Sequence, residues 1–204
     1  KAMGVIQESR SPWTSPVVIA RKKDGGIRFC VDFRKLNNRT VKDAYAIPRL
    51  EETLDCLAGS KYFSALDQKW GYWQVPLTKE SVPLTAFTVG PLGFYEFVRM
   101  PFGLCNAPAT FQRAMESCLG DLHLTYCLIY LDDIIVFSET FEQHIDRLDT
   151  VFTRLKQAGL RLKVKKCHFF RSSLEYLGHI VSEDGVATDP NKTQIIRDWP
   201  WPKD

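Results

Sequence analysis

Short apolar blocks separated by glycine, proline and charged residues run along the chain, and their lengths predict strands more often than helices. Blocks of roughly four to eight apolar residues are typical of strands, whereas apolar residues spaced by three or four are typical of helices. The predicted strands are 17–20, 27–33, 62–66, 73–77, 85–89, 94–98, 124–131, 134–138, 174–177 and 179–182. The predicted helices are 48–57, 108–119, a segment from 141 to just before Gly159, and a short segment from 189 towards Trp199.

The order of these elements predicts an α+β fold, in which an antiparallel sheet carries helices on one face. Three predicted turns join strands that lie next to each other in sequence, and they are centred on Asp24-Gly25-Gly26, Pro91-Leu92-Gly93 and Gly178. At 204 residues the chain is long enough for one large domain or two intimate subdomains. No apolar run approaches the length needed to cross a membrane.

The charge distribution is uneven although the net charge is only +3. Residues 1–49 hold 11 Lys and Arg against 4 Asp and Glu, residues 50–150 hold 6 against 14, and residues 151–204 hold 10 against 6. Basic flanks around an acidic middle suit a polyanion held at its edges, with cations needed at the centre. Ordinary scatter of surface charge explains the same numbers, so charge alone does not decide between the two interpretations.

The cysteines and the first residues of the chain indicate the environment in which the protein works and the kind of protein from which it comes. The six cysteines are scattered and form no Cys-x-x-Cys pair, so the common zinc spacings are absent and a reducing, intracellular environment is expected. The chain opens with Lys1, and no signal-peptide pattern follows. We therefore expect it to be a piece of a longer protein.

The most informative stretch is residues 130–137, which read YLDDIIVF and place two adjacent carboxylates inside an apolar run. Aspartate is among the residues least often buried without a partner or a metal ion. A solvated turn is the ordinary explanation for an Asp-Asp pair. However, predicted strands flank Asp132-Asp133 on both sides, and another predicted strand ends at Asp67. If the two strand ends meet, three carboxylates converge.

Converging carboxylates repel one another unless a cation or a proton relieves the repulsion. Oxygen ligands without His or Cys nearby in sequence favour Mg²⁺ or Mn²⁺ over zinc. Two such ions, roughly 3.5–4 Å apart, can activate an attacking hydroxyl and stabilise a leaving phosphate oxygen. This arrangement is the basis of nucleotidyl transfer.

An ordered series of motifs resembles reverse transcriptases, most closely those of gypsy-class LTR retrotransposons. The resemblance covers essentially the whole chain. The motifs are Leu66-Asp67, Gly71-Tyr72-Trp73-Gln74, Thr85-Ala86-Phe87, Tyr95-Glu96-Phe97, Met100-Pro101-Phe102-Gly103-Leu104, Asn106-Ala107-Pro108-Ala109-Thr110-Phe111-Gln112, Tyr130-Leu131-Asp132-Asp133, Leu177-Gly178-His179 and Trp199-Pro200.

The resemblance implies the fingers and palm of a right-hand polymerase within a Pol polyprotein. The fingers would comprise residues 1–42 and 76–106. The palm would comprise residues 43–75 and 107–190, including the YLDD hairpin. Residues 191–204 would begin a thumb or a linker. A thumb, an RNase H domain and other polyprotein domains are not represented in the motifs.

The resemblance also implies roles for individual residues. Asp67 and Asp132 would ligate two Mg²⁺ ions, with Mn²⁺ as the alternative, and Asp133 would be a further ligand or a support. Tyr72 would exclude a 2′-hydroxyl from the incoming nucleotide. The remaining nucleotide-binding candidates are Lys22, Arg28, Phe102 and Gly103, and the template- or primer-binding candidates are Gln112, Leu177, Gly178 and His179.

Each role has an ordinary structural alternative. Tyr72 is equally explained as a core aromatic, and Lys22 and Arg28 as solvated hairpin charges. Lys163, Lys165 and Lys166 suit contact with a nucleic-acid backbone no better than they suit a solvated strand edge. His144, on an amphipathic helix, is expected to be structural.

The activity implied is RNA- and DNA-directed DNA synthesis, in which dNTPs are added to a primer 3′-hydroxyl. The partners implied are a template–primer and dNTPs, without a membrane, and with a dimer or further polyprotein domains as candidates. The expected location is a cytoplasmic virus-like particle with a nuclear phase. An inactive or domesticated copy that only binds nucleic acid is the alternative. Two positions depart from the family pattern, Trp70 in place of a small residue and Leu84 in place of a lysine.

Overall fold

The computed structural model describes residues 3–21, 25–45 and 54–188. The strands in chain order are β1 (Ile6–Glu8), β2 (Val17–Arg21), β3 (Ile27–Val31), β4 (Tyr62–Asp67), β5 (Phe87–Thr88), β6 (Phe94–Phe97), β7 (Cys127–Tyr130), β8 (Asp133–Ser138), β9 (His168–Arg171), β10 (Ser173–Tyr176), β11 (His179–Ser182) and β12 (Gly185–Thr188). The helices are α1 (Arg34–Asn37), α2 (Ala107–Leu119) and α3 (Phe141–Gln157). Short 3₁₀ turns cover Asp55–Leu57, Gly71–Gln74, Val82–Thr85, Gly90–Leu92 and Val164–Lys166.

The chain divides into two compact units that interleave in sequence. The first unit comprises Lys1–Ala46 and Lys69–Arg113, and the second comprises Ile47–Gln68 and Ala114–Asp204. The chain therefore passes from one unit to the other three times. The segment boundaries predicted from the sequence for fingers and palm stay a prediction.

The second unit is built on a four-stranded sheet in the order β7-β8-β4-β9. All its strand pairs are antiparallel. β8 is buried along its length after the first residue, so its apolar run reads as a central strand rather than as an alternating one. A separate sheet, β10-β11-β12, packs onto the same core. That core contains Leu54, Leu57, Phe63, Leu128, Ile135, Phe137, Leu174, Tyr176 and Val181.

Helix α3 covers this sheet with one apolar face. Its N-cap is Thr140, whose side-chain oxygen accepts a hydrogen bond from the backbone N–H of Gln143 at 3.3 Å. The basic residues Arg154 and Lys156 in the last turn complement the helix dipole. The buried face repeats at intervals of three and four residues, through His144, Leu148, Val151 and Leu155.

The first unit contains the hairpin β2-β3 and a three-stranded sheet in the order β1-β6-β5. The hairpin register pairs Val17 with Val31 and Arg21 with Ile27. The core of the first unit is aromatic. The ring centroid of Phe97 lies 5.1 Å from that of Phe87 and 6.4 Å from that of Phe33. No helix within the described residues has the length and hydropathy needed to cross a bilayer.

The structure differs from the predicted elements at residues 73–77, where we expected a strand. The chain instead forms the 3₁₀ turn Gly71–Gln74, in which the N–H of Trp73 donates to the carbonyl of Trp70 at 3.0 Å. Pro76 has no N–H to give to a sheet, and only a single bridge to Arg99 forms there. The apolar alternation was therefore misleading at this point.

Some predictions lie outside the described residues. These are most of the helix 48–57, the helix following residue 188, and Asp24 of the first predicted turn. The strand Gly185–Thr188 is an addition, because its small and polar residues gave no clear strand pattern.

Candidate active site

Two of the three predicted carboxylates lie directly opposite each other in the central sheet. β4 ends at Asp67, β8 begins at Asp133, and the antiparallel register pairs these two residues. Residues paired in this way project from the same face of a sheet. The neighbouring pair, Leu66 and Ile134, is buried and anchors both strand ends. The predicted meeting of the two acidic strand ends is thus present within the second unit.

The third carboxylate, Asp132, lies in the turn that joins β7 to β8. Because Tyr130 pairs with Asp133, the connection consists of Leu131 and Asp132 alone. Leu131 has a φ of 55°, in the left-handed region that a branched side chain seldom adopts. The two apolar runs that flank Asp132-Asp133 predict a hairpin with both aspartates at its tip. Only Asp132 is there, since the ladder extends one residue further than the apolar run predicts.

The local electrostatics show excess negative charge. Partial removal of water from its carboxyl group raises the pKa of Asp133, and the charges of Asp132 and Asp67 raise it further. The ammonium group of Lys166 opposes that shift. Three carboxylates in mutual repulsion favour a cation in their vicinity.

Lys166 lies in the 3₁₀ turn that precedes β9, and it reaches the carboxylates. Its Nζ is 3.3 Å from Oδ2 of Asp67, to which it donates. The backbone of Asp67 is held by the same segment, because its carbonyl accepts from the N–H of Lys163 at 2.8 Å. Its own N–H points at Sγ of Cys167, at 3.4 Å. No sequence pattern distinguishes Lys166 for this contact, since Lys163 and Lys165 carry the same charge close to it in the chain.

The donor atoms suit a hard divalent cation. Asp67, Asp132 and Asp133 offer only oxygen, which Mg²⁺ and Mn²⁺ prefer. Within the described residues, however, no three or more His, Cys, Asp and Glu side chains are arranged to hold a metal ion as they stand.

A second polar cluster lies further along β4 and β8, and it is fully hydrogen-bonded. His144 is completely buried, with Nε2 2.7 Å from Oγ of Ser64 and Nδ1 2.9 Å from Oγ of Ser138. Ser138 donates to the carbonyl of Thr140 and Ser64 accepts from the N–H of Phe170. These directions require Nδ1 to carry the proton and Nε2 to accept. Burial lowers the pKa of His144 to about 4, so the ring is neutral, as the structural role predicted for it demands.

The predicted nucleotide-binding aromatic, Tyr72, lies in the first unit within an aromatic cluster. Its ring centroid is 5.0 Å from that of Phe102 and 5.2 Å from that of Phe111. Phe111 is fully buried, whereas Phe102 is 54% exposed. Tyr72 is thus supported on one side by the core and borders a surface ring on the other.

The loop carrying Phe102 and Gly103 is held by a residue that we did not single out. Nδ2 of Asn37 donates to the carbonyl of Gly103 at 2.8 Å, and its Oδ1 accepts from the N–H of Cys105 at 2.9 Å. Gly103 has a φ of 95°, which only glycine adopts without strain. One asparagine at the end of α1 therefore fixes both sides of this loop.

Three other residues were predicted to contact the nucleotide or the template, and the structure describes them to different extents. Arg28 lies in β3 opposite Ala20, and the direction of its side chain is outside what the structure describes. Lys22 lies outside the described residues. Gln112 is completely buried on α2, and its predicted template contact stays a prediction.

The predicted primer-binding hairpin is formed by β10 and β11. Tyr176 pairs with His179, leaving Leu177 and Gly178 as a two-residue turn. Both turn residues have positive φ, 49° and 84°, as a type I′ turn requires. Among the described residues, neither the hydroxyl of Tyr176 nor Nδ1 of His179 has a hydrogen-bond partner, although both atoms are buried.

The two departures from the family pattern are both at the surface. Trp70 has a φ of 67° and is 44% exposed, with Nζ of Lys69 4.4 Å from its ring centroid. Leu84 is 40% exposed. The bulky residue before Gly71 is accommodated outside the core rather than within it.

Comparison with known proteins assigns the chain to a family. A family model described as "Reverse transcriptase (RNA-dependent DNA polymerase)" matches residues 20–181. The chain is 43% identical over 204 residues to the retrovirus-related Pol polyprotein from transposon 297 of Drosophila melanogaster, covering 98% of the chain and 19% of that protein. It is 42% identical to the corresponding polyprotein from transposon gypsy of the same species, over 98% of the chain and 20% of that protein. The chain thus spans about a fifth of the length of these relatives.

Solved structures show the same likeness. A foamy viral protease–reverse transcriptase in complex with double-stranded DNA superimposes with a TM-score of 0.90 at 28% identity, covering 99% of this chain and 35% of that one. The same type of protein in complex with an RNA/DNA hybrid gives a TM-score of 0.86 at 28% identity, over 98% and 27% of the two chains. These matches confirm the predicted fingers-and-palm polymerase fold. The chain belongs to the reverse transcriptase family, and its relatives include the Pol polyproteins of gypsy-type transposons.

Proposed function

We propose that this chain is the catalytic fingers-and-palm portion of an RNA- and DNA-directed DNA polymerase that adds dNTPs to a primer 3′-hydroxyl. The observation that carries the proposal is the pairing of Asp67 with Asp133 across two strands, with Asp132 in the adjoining turn. A rigid sheet is a suitable platform for carboxylates that must hold a fixed geometry. The family match supplies the class of reaction.

Asp67 and Asp132 are the proposed ligands of two Mg²⁺ ions, and Asp133 is proposed as their support. Magnesium supplies charge stabilisation for the phosphates and activation of the attacking hydroxyl when bound. Asp133 begins a buried strand and so has less freedom to turn than Asp132, which lies in a two-residue connection. This difference favours Asp132 over Asp133 as a direct ligand.

Tyr72 is proposed to select dNTPs by excluding the 2′-hydroxyl of a ribonucleotide. Its support by Phe111 and Phe102 holds the ring in place, as steric exclusion requires. Tyr72→Val should raise ribonucleotide incorporation relative to dNTP incorporation by about tenfold or more. Tyr72→Phe keeps the ring and should keep the selectivity. Unchanged selectivity in Tyr72→Val contradicts this role.

The template–primer is proposed to contact the hairpin turn at Leu177 and Gly178, together with His179. Leu177 and Gly178 form the two-residue turn at the end of the β10–β11 hairpin, with His179 next to it. The bound DNA and RNA/DNA hybrid in the structural relatives support the class of partner. Lys22, Arg28, Phe102 and Gly103 are proposed to contact the incoming triphosphate and its base. We place the reaction in cytoplasmic particles with a later nuclear phase, by analogy with retrotransposons.

Primer extension on RNA and on DNA templates with Mg²⁺ tests the proposal. Wild-type protein should extend the primer with dNTPs, and Asp132→Asn should not. Asp149→Asn, which alters an exposed carboxylate on α3, is the matched control and should be active. Full activity of Asp132→Asn overturns the proposal. Template–primer binding without extension by the wild type favours the alternative of an inactive nucleic-acid-binding copy.

A further inference from the structure

We propose that Lys166 is a resident counter-ion of the carboxylate cluster, bound to Asp67 in the metal-free state and displaced when a divalent cation binds. In this arrangement the lysine sets how tightly the site holds its cation. The inference rests on the proposed function, because it takes Asp67 as a metal ligand.

The position of the lysine backbone is fixed, whereas its side chain is mobile enough to leave. The N–H of Lys166 donates to the carbonyl of Lys163 at 2.7 Å, and the N–H of Lys163 donates to the carbonyl of Asp67 at 2.8 Å. The side chains of Lys166 and Asp67 are 60% and 33% exposed. A long side chain at the surface can withdraw into water at little cost.

The lysine and a metal ion compete for the same atom and the same charge. Oδ2 of Asp67 accepts from Nζ of Lys166 at 3.3 Å, so this oxygen is shared with any cation that binds there. The charge of Lys166 also reaches Asp133, on the neighbouring strand. A positive charge a few ångströms from a cation site weakens the binding of a second cation. The cluster is therefore held together by the lysine when empty and loses that contact when filled.

The same turn offers a matched control. Lys165 lies next to Lys166 and carries the same charge, and among the described residues the structure pairs it with no carboxylate. A general effect of local positive charge would be shared by both lysines. Competition for Asp67 would be specific to Lys166.

Calorimetric titration of the full chain with Mn²⁺ as the probe tests the inference, with thermal unfolding of the metal-free protein as a second readout. Lys166→Met should bind Mn²⁺ about fivefold more tightly than the wild type. It should also lower the melting temperature without metal and increase the stabilisation that Mn²⁺ gives. Lys165→Met should change the Mn²⁺ dissociation constant by less than about twofold.

Two variants of Asp67 separate failure of this inference from failure of the proposed site. Asp67→Asn should weaken Mn²⁺ binding, and adding Lys166→Met to it should lower the melting temperature by less than Lys166→Met does in the wild type, because only the attraction to Asp133 is left to lose. If Asp67→Asn weakens binding but Lys166→Met leaves it unchanged or weakens it, the counter-ion role is wrong and the metal site stands. If Asp67→Asn leaves Mn²⁺ binding unchanged, the ligand assignment and the counter-ion role are both wrong.

Discussion

The two strands β4 and β8 carry a polar cluster near each end, and the two clusters are built in opposite ways. Near one end, His144 links Ser64 to Ser138, and every donor has an acceptor. At the other end, Asp67 faces Asp133 with like charge, and the exposed Lys166 offsets part of the repulsion. The first cluster is neutral and buried, and the second is charged and open to solvent.

We expect the histidine cluster to contribute mainly to stability and the carboxylate cluster mainly to activity, although both lie on the same two strands. A satisfied buried network contributes specificity and stability because each of its members would be costly to leave without a partner. A cluster of repelling carboxylates costs stability and is retained where it binds something. Substitutions near the two ends should therefore have opposite consequences.

The largest effect is expected at the carboxylate end, on activity alone. Asp67→Asn should reduce dNTP incorporation by about a thousandfold or more, because the proposed function makes Asp67 a ligand to the reacting cations. Its free energy of unfolding should stay close to that of the wild type, since repulsion with Asp133 is relieved. Primer extension and urea denaturation measure the two quantities. Asp55→Asn, an exposed carboxylate in the same unit, is the control. A large loss of stability in Asp67→Asn would remove the contrast.

The next effect is expected at the histidine end, on stability alone. His144→Ala should lower the free energy of unfolding by about 2–4 kcal/mol, because it opens a cavity and leaves two buried serine hydroxyls short of a partner. Incorporation per folded molecule should be unchanged. Gln143→Ala, at the exposed neighbouring position, should stay within about 0.5 kcal/mol of the wild type. Loss of incorporation in fully folded His144→Ala protein would contradict the division of roles.

Lowering the pH should reduce the stability that the His144 cluster contributes. The pKa of His144 is lowered from 6.5 to about 4 in the folded protein, so the unfolded chain binds a proton more readily. Its stabilising contribution is complete above pH 6.5 and is lost as the pH falls towards 4. The loss between pH 7.5 and 4.5 is on the order of 2–3 kcal/mol. Between pH 7.5 and 4.5 the free energy of unfolding should therefore fall more steeply with pH in the wild type than in His144→Gln, because glutamine cannot gain the proton. Urea denaturation at several pH values measures the two slopes. Equal slopes would show that the ring does not govern acid sensitivity.

The smallest effect is expected for Asp133→Asn. Partial desolvation of its carboxyl group and the charges of Asp132 and Asp67 disfavour ionised Asp133, so a neutral amide should raise the free energy of unfolding at pH 7 by less than about 1 kcal/mol. The gain should shrink as salt is added, because exposed charges are screened. Thermal unfolding at low and high salt measures it, with Asp55→Asn again as the control. A decrease in stability at low salt would mean that Asp133 makes a favourable contact in the metal-free protein.

The sequence was most informative where apolar runs end in charge. Buried runs before Asp67 and around Asp132-Asp133 predicted strands, and the strands are present. The register that pairs Asp67 with Asp133 could not be read from the sequence, because it depends on side-chain packing along the whole of both strands. At residues 73–77 the alternating pattern was outweighed by Pro76, which has no backbone N–H to donate to a sheet.

Contacts between segments far apart in sequence were beyond prediction. Lys166 and Asp67 are separated by 99 positions, and neither residue alone signals the other. His144 was recognised as structural from its place on an amphipathic helix, but its serine partners were not. Asn37 was missed because a surface asparagine carries no pattern that marks it as the anchor of a loop.

The position of β4 between β8 and β9 has a consequence for how the protein is made. Both sheet neighbours of this strand are encoded well downstream of it, so a growing chain exposes Phe63 and Leu66 long before anything can cover them. Pairings that close such long loops form slowly, and unpaired apolar strands are prone to aggregation in the interval. Folding of the second unit is therefore expected to lag behind its synthesis, because the sheet around β4 is complete only after β9 has been made. Aggregation through the uncovered β4 is therefore expected mainly in the interval between the emergence of β4 and that of β9.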